Sequence, residues 1–219
     1  MEMTVDIKQT GIESAILCAP FDRALTELQK NDYKLISLPK NAQLRIQQGK
    51  DHYVSKNGNW VKEGILYVPG ERSKLVRVSP ILESAKEATH AHRTGKEFYP
   101  TKEQIEQSLT DSVDFPEKII RIPTNRFDWG ALTVYAFGGE KKAKAYGEFL
   151  DDAGIKEMPV YAISKDYVNK QSQPFIRQLW LGDLYDGSDF DGYHWPLGDS
   201  DSVRGVKVDA EGTSQENKK

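Results

Sequence analysis

The 219-residue sequence contains a single cysteine, Cys18. No intrachain disulfide can form, and a zinc site built on cysteine lacks its ligands. Cys18 lies in the apolar stretch "SAILCAPF" and is expected to be buried and inert rather than nucleophilic. There is no apolar run near the ~18 residues that read as a membrane span. The opening "MEMTVDIKQTG" lacks the basic and apolar regions of a secretory signal, so a cytoplasmic or virion-associated location is expected. No G-x-x-x-x-G-K-[ST] or G-x-G-x-x-G motif cradles a phosphate, and no repeat of 20 to 50 residues recurs. Only four histidines are present, and none sits beside a recognisable nucleophile motif.

What is present is a chain of 38% hydrophobic and 29% charged residues, the composition of a globular protein able to bury a core. Its net charge of −3 is unevenly spread. Residues 182–219 hold nine acids against four bases, a net −5 that leaves +2 for residues 1–181. Phosphate contacts need clustered Lys and Arg, so no nucleic-acid surface is expected there.

Periodicity gives the elements. Phe21, Ala24, Leu25 and Leu28 share one helical face, with Pro20 in the first turn. "YKLISLP" reads as a strand ending at Pro39, and "NAQLRIQQGK" as a helix closed by Gly49. "GILYV" and "KLVRV" around Pro69-Gly70 read as a hairpin. Ser79-Pro80 opens a helix running to about Arg93, with Gly95 as its stop. Thr101 and Gln104 fit a capping box, with Ile105 and Leu109 as the apolar face. "EKIIRIP" and "ALTVYAFGG" read as two strands, followed by a helix over "EKKAKAYGEFLDDAGI" with Ala145, Phe149 and Leu150 inward. "MPVYAIS" and "PFIRQLWLGDL" are further strand candidates, and the tail 209–219 is expected to be disordered.

The functional signal is concentrated in "LWLGDLYDGSDFDGYHWPLGDSDSVRGV", from residue 179. Six aspartates fall between Asp183 and Asp201 without a lysine or arginine. If Asp189 and Asp191 take the third and fifth positions of an EF-hand loop, Gly187 and Gly198 occupy the first and twelfth. An EF-hand is thereby excluded, and an irregular calcium site stays open. Paired catalytic carboxylates need environments that separate their pKa values, whereas six acids in a glycine-rich loop read as solvated. His90 and His92 are two apart near a helix C-terminus, where histidines favour the dipole rather than one metal ion. His52 carries no signal. Rings interleaved with Asp, Gly and Ser give a composition suited to contacting a partner, since Tyr and Trp supply area at little entropic cost.

Read as L-W-L-x-x-L-x-x-x-S-x-x-x-G-x-x-x-x-L-x-x-x-x-x-V-R-G-V, the segment resembles the C-terminal variable region of proteins diversified by diversity-generating retroelements in phages, bacteria, archaea and archaeal viruses. In that family an error-prone copying step at adenines substitutes many positions on a C-type lectin fold. The resemblance implies an α+β, C-type lectin-like fold with a mixed, mostly antiparallel sheet, two main helices and helical N-terminal elements. It implies N-terminal elements at 1–56 packed on a main domain at 57–208, whose variable segment is 182–202. Trp180, Gly192, Arg204 and Gly205 would be scaffold, with Gly192 permitting a turn and "VRGVKV" a closing strand. The exposed ligand contacts would be Tyr185, Asp186, Asp189, Phe190, Asp191, Tyr193, His194, Trp195, Asp199, Ser200 and Asp201, bordered by Asp183 and Ser202. The implied protein is a non-enzymatic binder of a basic or donor-rich protein or surface ligand, with no cofactor or metal. The lectin motifs E-P-N and W-N-D are absent, so no sugar specificity follows. The alternative is a metal-assisted hydrolase, or a relative of formylglycine-generating enzymes using the acidic loop. Those relatives share the V-R-G-V ending, but their catalytic cysteines have no counterpart beside Cys18.

Overall fold

The computed structural model describes residues 3–9, 12–193 and 197–207. The expected tail at 209–219 and the candidate contacts His194 and Trp195 lie outside the described residues. The chain opens on a hairpin, β1 (Thr4–Gln9) and β2 (Ile12–Cys18), that its polar first residues did not announce. Cys18, expected to be buried, is exposed, because it ends β2 on the face opposite buried Leu17. Helix α1 (Phe21–Lys30) buries Phe21, Ala24, Leu25 and Leu28, with Pro20 at its N-cap. β3 (Tyr33–Leu35) stops short of Pro39, which lies instead in the first turn of α2 (Leu38–Gln48), where its missing N–H forfeits no helical bond. Gly49 closes α2 at φ 83°, and α3 (Tyr53–Lys56) is one short turn.

The hairpin β4 (Asn59–Tyr67) and β5 (Lys74–Val76) pairs antiparallel as the sequence predicts. The helix expected from Pro80 to Arg93 is two pieces, a 3-10 turn Pro80–Leu82 and α4 (Ala85–Arg93), because Ser84 sits outside the helical region at φ −124°, ψ 36°. α5 (Lys102–Leu109) starts on the predicted capping box, although Leu109 is exposed. β6 (Ser112–Asp114) and β7 (Ile120–Pro123) follow. The stretch expected as a strand at "ALTVYAF" is instead α6 (Ala131–Phe137). It buries Thr133, Ala136 and Phe137 at helical spacing and ends on left-handed Gly138, so capping and packing outweigh its β-branched and aromatic content. In α7 (Glu140–Asp152) the inward face is Ala143, Tyr146, Gly147 and Leu150, while Ala145 is exposed and Phe149 half-buried. β8 (Glu157–Tyr161), α8 (Lys165–Val168), β9 (Phe175–Leu181), β10 (Phe190–Asp191) and β11 (Ser202–Lys207) complete the described elements.

The strands form one mixed sheet in the order β1-β2-β11-β4-β9-β10-β8-β7, with β3 paired to β11, β5 to β4 and β6 to β5. Only β11–β4 and β10–β8 are parallel among the described pairs. Alternate residues of the central strands feed two apolar clusters. Val61, Ile65, Tyr67, Phe175, Leu179 and Leu181 join Phe137, Tyr146 and Phe190. Trp60, Leu66, Ile176 and the partly buried Trp180 join Phe21, Leu28, Leu197 and Val203. A period of two thus divides the core between the faces of the sheet. The division expected at 56/57 runs through this sheet, since β2 pairs with β11 from Ser202 to Val206. Beneath that pairing the buried Arg204 guanidinium donates to both carboxylate oxygens of Asp6, at 2.8 and 2.7 Å, and to the Ser14 hydroxyl at 2.8 Å. No helix among the described residues is long and apolar enough to cross a membrane.

Candidate ligand-contact surface

The segment after Leu181 leaves the sheet, returns for two residues in β10, and leaves again before β11. Backbone bonds seat its first loop: the Leu184 amide donates to the Ser55 carbonyl at 3.0 Å, and the Ser188 amide to the Asp183 carbonyl at 2.6 Å. Ser188 holds φ 58°, a conformation that costs a non-glycine residue on the order of 1–3 kcal/mol. What holds it there is buried: Arg45 donates to its hydroxyl at 3.0 Å and to the Tyr146 hydroxyl at 3.1 Å, while the two hydroxyls lie 2.6 Å apart. The Arg45 guanidinium also donates to the carbonyls of Val54 and Asn57. One arginine therefore ties α2 and α7 to the loop.

The scaffold positions divide by mechanism. Trp180 packs edge-on to Trp60 at 5.2 Å and lies so close to Gly58 that a Cβ there would meet its ring at 2.6 Å. Gly192 was expected to permit a turn, but its φ is ordinary and its requirement is space. A Cβ would fall 2.7 Å from the Tyr67 hydroxyl, which donates to the Gly192 carbonyl at 3.1 Å. Gly205 is similarly hemmed by Leu28 and Tyr33. Leu197 is buried, and its carbonyl accepts from the Phe21 amide at 2.9 Å.

Between these anchors Tyr185 is 80% and Tyr193 64% exposed, and Asp186, Asp199 and Ser200 are exposed as well. Asp191 and Asp201 are half-buried. Two expected contacts are corrected. Phe190 is fully buried in the ladder between Leu181 and Val160 and packs on Phe137 at 5.6 Å, so it serves the core. Asp189 is only 5% exposed, against the expectation that all six aspartates are solvated. Burial first, then the charges of Asp191, Asp186 and Asp183, push its carboxyl up to about 7.

Asp189, Asp186, Asp191 and Tyr185 share an open groove of about 460 Å³ with Arg121 of β7 and Glu157, Pro159 and Tyr161 of β8. Sequence reading missed Arg121, Glu157 and Tyr161 because they lie at least 24 residues away and reach the groove only through the parallel β10–β8 pairing. It missed Arg45 and Tyr146 too, although an arginine three residues after Ala42 on the apolar face of α2 was a visible irregularity. Among the described residues no three His, Cys, Asp or Glu side chains are grouped to hold a metal ion. Two of the histidines have structural settings. His92 is buried, and desolvation with the nearby Arg177 charge pushes it down to about 4, so at neutral pH it brings no charge to the helix dipole. His52, read as uninformative, accepts from the Val54 amide and caps α3.

No protein-family profile and no curated protein sequence matches the chain. A solved structure does, described as "Accommodation of massive sequence variation in Nanoarchaeota by the C-type lectin fold". It aligns with a TM-score of 0.68 over 93% of this chain and 99% of that chain, at 17% identity. This chain has a C-type lectin fold. Its α+β content and mixed, mostly antiparallel sheet are those expected from the residue pattern ending in V-R-G-V. Within this C-type lectin fold, Tyr185, Asp186, Tyr193 and Asp199 are exposed on the stretch between β9 and β11, while the frame residues Leu179, Leu181, Leu197, Val203 and Val206 are buried.

Proposed function

We propose that the chain is a non-enzymatic ligand-binding protein that displays residues 182–202 as a diversified contact surface, of the kind produced by diversity-generating retroelements. One observation carries the reading: the frame residues are tied into the core while the described positions between them split into buried supports and an exposed set. Leu179, Leu181, Ser188, Phe190, Gly192, Leu197, Val203 and Arg204 are buried, whereas Tyr185, Asp186, Tyr193, Asp199 and Ser200 are exposed. A scaffold whose stability does not depend on its contact residues tolerates change in them. The description of the Nanoarchaeota structure as one that accommodates massive sequence variation supports the same reading. The net acidity of the segment favours a basic or donor-rich protein or surface as partner, bound less tightly as salt rises.

The test is a displayed library randomised at Tyr185, Asp186, Tyr193, Asp199 and Ser200. Most members should melt within a few degrees of the parent, and selections against basic proteins should yield binders. Widespread unfolding would show that the exposed set is structural and overturn the reading. At the genomic level, a near-copy of the coding segment that differs at adenines is expected beside a reverse transcriptase gene.

A further inference from the structure

The groove beside Asp189 has a feature that an acidic surface alone does not. Its innermost carboxylate is set in place before any ligand arrives. A Cβ on Gly182 would lie 1.7 Å from Asp189 Oδ1, so the carboxylate occupies the space where residue 182 would otherwise carry a side chain. The Gly182 amide donates to the Asp189 carbonyl at 2.9 Å, and the preceding residue is Ser188, held by Arg45 and Tyr146. Among the described residues, the only amide bonded to the Asp189 carboxylate is its own. Asp189 is thus a residue 95% out of water whose carboxylate lines a groove and has, among the described residues, no cation and no donor from another residue bonded to it.

We propose that this groove is a subsite for one cationic side chain of the protein partner, the guanidinium of an arginine, with Asp189 as its fixed acceptor. The inference rests on the ligand-binding reading of residues 182–202 and assigns the chemistry one part of that surface takes. A guanidinium suits the lining because it donates in a planar fork to carboxylates and stacks on aromatic faces. Asp186, Asp191 and Glu157 supply further acceptors, and Tyr161 and Tyr185 supply rings. Against these carboxylates the described residues lining the groove include one positive group, Arg121, so that lining retains a net negative charge when Asp189 is ionised. Asp183 adds to the field from the same loop. Because the acceptor is immobilised beforehand, little rotamer entropy is lost on binding.

Binding is also coupled to a proton. In the empty groove Asp189 holds its proton up to about pH 7, and an arriving cation favours the carboxylate, so the proton leaves to solvent. Affinity therefore rises with pH, about tenfold between pH 6 and pH 8, and levels off above that.

The experiment uses the full chain labelled with 13C and 15N, titrated with the peptide acetyl-Gly-Arg-Gly-amide and with its citrulline counterpart, a neutral analogue of the same shape. The arginine peptide should shift the Asp189 carboxyl carbon and the amides of residues 182–191, lower the Asp189 titration midpoint, and bind more tightly as pH rises. The citrulline peptide should leave these signals in place, and a lysine peptide should bind several-fold more weakly than arginine. D189N, whose carboxamide is close in shape to the protonated acid, should fold, lose most of the arginine affinity and lose its pH dependence. Equal binding of arginine and citrulline peptides, or unchanged arginine affinity in D189N, overturns the proposal. So does calcium chloride producing the carboxyl shift while the arginine peptide does not. If the arginine peptide fails while the displayed library yields binders, the subsite falls and the contact surface stands. If the library fails while the arginine peptide binds through Asp189, the reverse holds.

Discussion

At the scale of single residues, three buried ionisable groups set how the protein responds to pH. Asp189 and Glu63 are both pushed up to about 7 by burial, and Glu63 spends one oxygen on the Leu38 amide at the start of α2, 3.0 Å away. For each, the folded state holds a proton more tightly than the unfolded chain, so the group costs no stability below about pH 4. The cost grows as pH rises from there to about 7 and is constant above. His92, pushed down to about 4, acts in the opposite sense: its contribution is intact above about pH 6.5 and is lost as pH falls toward 4. E63Q and D189N should therefore each melt higher than the parent at pH 8 and show a flatter stability profile between pH 4 and 7. Melting curves across that range check this, and a D189N protein less stable than the parent at pH 8 would remove the case for a strained carboxylate. Size is read at the same scale. Phe190→Ala should cost about 3–5 kcal/mol, because the ring is fully buried against Phe137. Tyr193→Ala, on an exposed ring, should stay within about 0.5 kcal/mol, and urea unfolding separates the two.

At the scale of elements, local chemistry was decisive wherever the chain satisfied itself. The Thr101–Gln104 capping box forms as its spacing predicts, with the Gln104 amide donating to the Thr101 hydroxyl and the Thr101 amide to the Gln104 side chain. Thr101→Ala should cost about 1 kcal/mol by thermal unfolding. Residues 131–137 show where local reading stops. Alternation and helical spacing coincide over seven residues, and the choice fell to the pocket that accepts Thr133, Ala136 and Phe137. The loop at 182–189 is the strongest case. Nothing near Ser188 in sequence announces that Arg45, 143 residues away, fixes it. Ser188→Ala removes the acceptor and leaves a buried guanidinium N–H and the Tyr146 hydroxyl short of a partner, at a cost of about 1–3 kcal/mol. Since the same tether sets Asp189, the variant should also weaken arginine-peptide binding, whereas Thr101→Ala should not, and running both by calorimetry distinguishes the tether from general loss of stability.

At the scale of the whole molecule, the fold closes by seating its last described strand against the N-terminal hairpin. β11 lies between β2 and β4, and the Arg204–Asp6 pair sits beneath that closure with both partners largely out of water. Removing one partner leaves the other charge buried, so Asp6→Ala should destabilise by about 3–5 kcal/mol, far more than loss of an exposed pair such as Lys102–Glu106. A chain lacking residues 1–18 should fail to fold, because it exposes an edge of β11 and the apolar cluster around Leu17 and Phe21; a cooperative, native-like melt for that truncation would overturn this. The fold class followed from the resemblance carried by the frame from Leu179 to Val206, whereas the residue pattern by itself determined several of the helices and strands, because periodicity, caps and apolar spacing act over a few residues. It also placed Tyr185, Asp186, Tyr193, Asp199 and Ser200 at the surface. Only the tertiary structure decided that Phe190 belongs to the core, that Gly192 makes room for Tyr67, and that Asp189 stands apart from its neighbouring aspartates. Each of those outcomes depends on burial by distant strands and helices, and desolvation is a property of the assembled surroundings rather than of any nearby stretch of chain.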